Sequence, residues 1–269
     1  MSYPLPGGFR FDDLYGRTFV LTGVTRGIGR AFLPFLLEQG VRVVGISRGL
    51  ERMEALRAEL GVDAARMPLF DCDLSQPDAV AGTAHAILES GLPVDGIINN
   101  AAIDPRHWFA REDDPFWQQV MQVNLFSGVA LTRALLPRIR ASRHGRILFT
   151  GSVISELGGA CLSAYAASKG ALLGLTRSLA HELQGTNVTV NCIIPGAIHV
   201  EKEKGENDEK LIAWQSVPRR LEAADLVGLT ALLLSEWGGG ITGQAITVDG
   251  GIVHPLATAA VQGRSLEPM

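Results

Sequence analysis

Short apolar runs rich in β-branched residues alternate along this chain with longer stretches whose apolar positions recur at helical spacing. The runs occupy residues 18–22, 41–46, 66–70, 94–98, 146–150, 188–193 and 245–248. Between them, residues 28–39, 51–60, 77–89, 115–140, 164–183 and 223–235 have helical patterning. Strand-like runs separated by helices predict βαβ units built around a parallel sheet. Ser75 and Asp78 flank an early proline, a capping-box pattern that predicts where the third helix begins. Pro34 falls inside the first helical stretch, where a missing N–H predicts a kink or an early end. Residues 201–207 are charged, contain a glycine and follow a strand, so they read as a mobile loop. No linker, repeat or low-complexity segment divides the chain, which therefore reads as one domain.

Composition narrows the function more than the fold. The 269 residues are 46% apolar and 19% charged, enough apolar material for a large α/β core. The formal net charge is -4 and no basic run exceeds a dipeptide, which argues against nucleic acid as a partner. No stretch approaches the ~18 apolar residues of a membrane span, and the N-terminus lacks the pattern of a signal peptide. Cys72, Cys161 and Cys192 are odd in number and scattered, so the expectation is free thiols in a reducing cytoplasm. The six histidines show no ligand spacing, and no metal is expected.

Two places carry candidate chemistry. The first is Gly23-Val24-Thr25-Arg26-Gly27-Ile28-Gly29, which follows a strand and opens a helix. Glycines there let the backbone turn tightly and approach a pyrophosphate, while the helix N-terminus offers free N–H groups and the positive end of its dipole. About 20 residues on, an NAD site would place a carboxylate on the ribose. This chain has Ser47 and Arg48 instead, with Arg26 in the glycine loop. Two guanidiniums without a carboxylate suit a 2′-phosphate, so NADP(H) is the preferred cofactor and NAD(H) a possible one.

The second place is Ser163-Ala164-Tyr165-Ala166-Ala167-Ser168-Lys169, with Ser152 thirteen residues before the tyrosine. Positions i and i+4 share one helix face, so the phenol and the ammonium project into the same space. A neighbouring cation favours phenolate and is expected to pull the tyrosine pKa down from ~10. That makes Tyr165 a candidate proton donor to a nascent alkoxide, with Ser152 a second donor to the same oxygen.

With these motifs in order, the chain resembles the short-chain dehydrogenase/reductase family in its compact single-domain form, over residues 17–251. The resemblance implies a Rossmann-like, doubly wound, seven-stranded parallel sheet with helices on both faces. Residues 1–16 would be an N-terminal extension and 252–269 a tail. It implies a catalytic set of Asn124, Ser152, Tyr165 and Lys169, with Asn124 holding a water near the lysine. Lys169 would also bond the nicotinamide ribose. Cofactor contacts would come from Gly23, Thr25, Arg26, Gly27, Ile28, Gly29, Ser47, Arg48, Asp73, Leu74, Asn100, Ala101, Tyr165, Lys169, Pro195, Gly196 and Ile198. The implied activity is hydride transfer between nicotinamide and a carbonyl or secondary alcohol, as in ketone or 3-oxoacyl reduction. The competing readings are an NAD(P)-dependent sugar or polyol dehydrogenase and a non-catalytic cofactor-sensing scaffold. The departures are Ala102 for a glycine, Val200 near a usual threonine, and Arg220 at a usual glycine. Candidate pocket walls are residues 103–108, 153–161 and 197–217. The apolar segment 252–261, together with the resemblance, leads to the expectation of a homotetramer.

Overall fold

The structure is a computed structural model that describes residues 10–199, 212 and 215–253. Val200, the 201–207 loop, Trp214 and the chain after Val253 lie outside the described residues.

The strands are β1 (Thr18–Thr22), β2 (Arg42–Ser47), β3 (Leu69–Asp71), β4 (Gly96–Asn99), β5 (Gly145–Thr150), β6 (Val188–Pro195), β7 (Ile198–His199), β8 (Leu221–Glu222) and β9 (Ala245–Val248). Seven of them form one parallel sheet in the order β3-β2-β1-β4-β5-β6-β9, while β7 and β8 pair separately. The helices are α1 (Gly27–Glu38), α2 (Leu50–Glu59), α3 (Pro77–Glu89), α4 (Asp114–Met121), α5 (Ser127–Ala141), α6 (Ile154–Leu157), α7 (Ser163–Glu182) and α8 (Ala224–Leu234).

Alternation along each strand assigns side chains to two layers. On β1, Phe19 and Leu21 join Leu33 and Leu36 of α1 and Leu226 and Leu233 of α8. Val20 faces the other way, toward Val80 and Ile87 of α3, Leu131 and Leu135 of α5, and Leu172 of α7. Because both faces are covered, β1, β5 and β6 are buried along their whole lengths. The strand order reverses between β1 and β4, so the crevice past their carboxyl ends is where such a sheet binds a ligand.

Four local expectations change. The single helix expected over 115–140 is broken: α4 ends at Met121, a π-helical turn covers Gln122–Phe126, and α5 follows. Ser75 does not cap α3. Its amide and hydroxyl both donate to Asp73 Oδ1, at 3.0 and 2.8 Å, and Gln76 is the N-cap residue, with no side-chain capping bond. Helix α1 runs past Pro34 to Glu38. Strand β3 starts at Leu69, later than the apolar run: Arg66 O and Pro68 O accept from β2, but Pro68 has no N–H to donate to the ladder.

Inside the sheet sits a charge that the apolar pattern concealed. Arg146 on β5 is 2% exposed and donates through Nε and Nη2 to Ser235 O at 3.2 and 2.8 Å, tying β5 to the end of α8. Burial, with Arg17 nearby, lowers its pKa to about 10.

Candidate active site

The glycine loop closes the carboxyl end of β1. Gly23 has φ +77° and Gly27 φ +60°, backbone that side-chain-bearing residues rarely adopt. A Cβ on Gly29 would lie 2.3 Å from Gly23 O and 2.6 Å from Asn100 Nδ2, so the first turn of α1 is pressed against the loop. A Cβ on Gly27 would meet nothing within 4 Å, which leaves open space beside the start of the helix. Arg26, the N-cap residue of α1, makes no side-chain cap, so the first amides of the helix have no side-chain cap from that residue. A pyrophosphate fits these residues on shape, free donors and dipole sign.

Thr22 joins the loop to β4. Its hydroxyl accepts from Asn100 N and Ala101 N, both at 3.0 Å, and Asn100 Nδ2 donates to Thr22 O at 3.1 Å. The sequence reading picked out Asn100 and Ala101 but missed Thr22, whose signal is its place at the strand end just before the first glycine. At the end of β2, Ser47 Oγ lies 3.0 Å from Thr25 Oγ1, a pair of hydroxyls facing the loop. Arg26 and Arg48 are exposed. The neighbourhood is not free of carboxylate: Asp73 Oδ2 lies 3.8 Å from Arg48 Nη1. Bonds from Ser75, and Arg48 beside it, hold the Asp73 carboxyl below its usual range. Leu74 is buried next to it.

The second cluster stands where β5 ends and α7 begins. Lys169 is 2% exposed, and its ammonium donates to Thr150 O at 2.6 Å while standing 5.8 Å from the centre of the Tyr165 ring. Burial lowers its pKa to about 8, partly opposed by Cys192 and Asp104. The Ser152 hydroxyl stands beside the Tyr165 phenol, close enough to act on its ionisation. Burial raises the phenol's pKa, Ser152 lowers it and Asp104 raises it again. The expected drop is therefore absent: the lysine is committed to a backbone carbonyl, and desolvation of the phenolate outweighs it.

Asn124 sits in the π-helical turn, 6% exposed. Its Oδ1 accepts from Ile103 N at 2.8 Å, and its Nδ2 donates to Ile103 O at 2.9 Å and to Ser168 Oγ at 3.0 Å. Ser168 Oγ in turn donates to Tyr165 O at 2.7 Å. Three protein bonds engage the side chain that the resemblance assigned to a water. Its place in the network is a strut between the loop after β4 and α7.

The third wall comes from β6. Pro195 O accepts from Val153 N at 3.0 Å, and Gly196 N donates to Val248 O at 3.0 Å. A Cβ on Gly196 would lie 2.6 Å from Asp249 Cα, so only glycine passes there. Ile198 follows on β7, paired with Leu221. Arg220 directly precedes β8. Cys161 is the one non-glycine residue with positive φ among the described residues, at 64°. Trp108 and Leu157, considered as pocket walls, are 63% and 49% exposed.

Comparison with known proteins bears on this geometry. Residues 17–211 match the family model described as short chain dehydrogenase. A 3-oxoacyl-acyl-carrier-protein reductase of Vibrio cholerae is 32% identical over 243 residues, covering 89% of this chain and 98% of the relative. Nodulation protein G of a Rhizobium species is 36% identical over 247 residues, with the same coverage. Among solved structures, a blue fluorescent protein from a metagenomic library in complex with NADPH superposes with a TM-score of 0.80 at 31% identity, covering 89% of this chain and 99% of that one.

Proposed function

The chain belongs to the short-chain dehydrogenase/reductase family, and from that premise we propose that it is an NADP(H)-dependent reductase of ketones of the 3-oxoacyl type. The observation that carries the reading is the placement of Tyr165 beside Ser152, with Lys169 buried against Thr150 O at the carboxyl end of β5.

When bound, the nicotinamide supplies the hydride. The protein's part is to orient and protonate. Ser152 and Tyr165 donate to the substrate carbonyl oxygen, and Tyr165 then gives up its proton as that oxygen becomes an alkoxide. A phenol pushed up by burial stays protonated at neutral pH, the state that reduction needs. Oxidation of a polyol would run the same transfer in reverse, starting from the phenolate. Lys169 is held by Thr150 O beneath the tyrosine, where its remaining donors are available to a ribose.

Support for NADP(H) comes from the Thr25–Ser47 hydroxyls with Arg26 and Arg48 at the end of β2, and from the NADPH carried by a structural neighbour. Asp73 draws on Arg48, so part of the 2′-phosphate's attraction is offset there. NAD(H) is a weaker alternative. The three thiols are free, in keeping with a cytoplasmic setting. We also place the chain in a homotetramer.

The test is oxidation of NADPH, followed by absorbance, with a panel of ketones and 3-oxoacyl thioesters. NADH is run beside it, together with Tyr165→Phe. Turnover should fall by about 10²–10⁴-fold in the variant, the usual scale of general acid catalysis. NADPH should be preferred roughly tenfold or more. Near-normal turnover in Tyr165→Phe sinks the mechanism, and equal use of the two cofactors sinks the arginine reading.

A further inference from the structure

Asp104 follows the β4 motif, and the residues on both sides of it are bonded to elements that surround Tyr165. On one side Ile103 is bonded through both its N–H and its carbonyl to Asn124. On the other, His107 N donates to Cys161 O at 3.2 Å. Cys161 lies four residues before Tyr165, and Asn124 bonds Ser168 three residues after it. The segment 103–107 is therefore pinned at both ends across the turn of α7 that carries the tyrosine. Pro105 restricts Asp104 itself to extended backbone, which removes much of the freedom a loop carboxylate would otherwise have. Both Tyr165 and Lys169 feel its charge. Among the described residues the carboxylate is exposed and forms no ion pair: Arg106 is its neighbour but one, and His107 is stacked on Phe116 at 4.7 Å. Beyond it, Trp108 and Phe109 are 63% and 70% exposed, an apolar outer rim.

We propose that Asp104 is the specificity-determining residue for charge in this site: it admits carbonyl compounds that are uncharged next to the reacting carbon and rejects those bearing a carboxylate there. The inference rests on the oxidoreductase reading and narrows its substrate class. A carbonyl oxygen bonded to Ser152 and Tyr165 sets its flanking carbons near the pinned segment. A carboxylate on one of those carbons would meet Asp104 as a like charge in a half-solvated mouth. A thioester or ester at the same place carries no such penalty, and the apolar rim accommodates its bulk.

The experiment compares methyl benzoylformate with benzoylformate, which differ in the charge beside the ketone. The ratio of kcat/KM, ester over acid, is measured with NADPH in the parent enzyme, Asp104→Asn and Asp104→Ser. Both substitutions should shrink the ratio by about tenfold, the scale of two unit charges a few ångströms apart at intermediate dielectric. Most of the change should appear in KM for the acid. A ratio unchanged within about twofold in an active enzyme overturns the role of Asp104 and leaves the reductase reading standing. If the parent enzyme reduces neither ketone nor any other carbonyl, the reductase reading fails, and the coupling is read directly from the tyrosinate absorbance. The groups bearing on the phenol are Asp104 of the pinned segment, Ser152 after β5, and Lys169 on its own helix, with Cys192 of β6 beside the lysine. Subtracting the titration of Tyr165→Phe isolates this phenol. It should ionise at lower pH in Asp104→Asn than in the parent, and an unmoved titration overturns the inference.

Discussion

Lys169 is charged at neutral pH yet almost wholly buried, and its ammonium donates to the carbonyl of Thr150. Burial lowers its pKa from 10.5 to about 8. The unfolded chain therefore binds more protons than the native state between those two values. Over that window stability rises with pH, and below about 8 the full penalty of the buried ammonium is present. Lys169→Met keeps the bulk and removes the charge. At pH 7 the variant should be at least as stable as the parent in thermal unfolding while losing turnover. The gap should then close as pH climbs from about 8 to 10.5. A variant that melts lower at pH 7, by an amount that does not change with pH, would show that the Thr150 bond outweighs desolvation. The pairing of Tyr165 with Lys169 was legible because i and i+4 share a helix face. The direction of the tyrosine shift was not, because it depends first on how deeply the phenol is buried, and then on Ser152 and Asp104. Asp104 was hidden for a similar reason: an exposed carboxylate before a proline looks like any loop residue until its neighbours are seen to be bonded to Asn124 and Cys161.

At the scale of elements, strands and helices were legible wherever pattern alone decides them. Helix α3 spans the expected residues, and α1, α2, α7 and α8 each lie within one residue of expectation at both ends. The break between α4 and α5 was not legible. Nothing in the apolar period marks a π-helical turn, and its reason is tertiary: it brings Asn124 onto Ile103 and Ser168. Ser75 failed as a cap because its hydroxyl is turned to Asp73, two residues earlier, and the N-cap position falls on Gln76. The glycine loop was legible as a motif, and the structure separates its members. Gly29→Ala forces a Cβ to 2.3 Å from a backbone oxygen, so the first turn of α1 must retreat from Gly23. That overpacking should cost about 1–3 kcal/mol and weaken NADPH binding, read by tryptophan fluorescence, by at least roughly tenfold. Gly27→Ala meets no atom and should lose only the roughly 1–2 kcal/mol of left-handed backbone. Equal melting temperatures and affinities for Gly29→Ala and the parent would show that the loop is not tight at this point.

On the scale of the whole molecule, the parallel sheet was legible from alternation. The order of its strands was not legible, because periodicity says nothing about which strands are neighbours. That order leaves β9 at one edge of the sheet. Its Ile246 and Val248 are half-buried, and among the described residues nothing pairs with its outer side. An open edge with apolar side chains is a template for another chain, and proteins generally pair or cover such edges. A separate apolar feature lies on the π-helical turn, where Phe126 is 50% exposed beside half-buried Leu125. If each of these two faces pairs with its own copy, the chain closes into a tetramer of dihedral symmetry, whereas one such face gives only a dimer. Light scattering of the intact protein at micromolar concentration should therefore give four chain masses. Phe126→Glu places a charge on one face only, so it should yield particles of two chain masses while β9 continues to pair. A monomer in the parent protein would contradict both faces. A tetramer that survives Phe126→Glu unchanged would remove the π-helical turn from the interface and leave the sheet edge as the contact to be tested next.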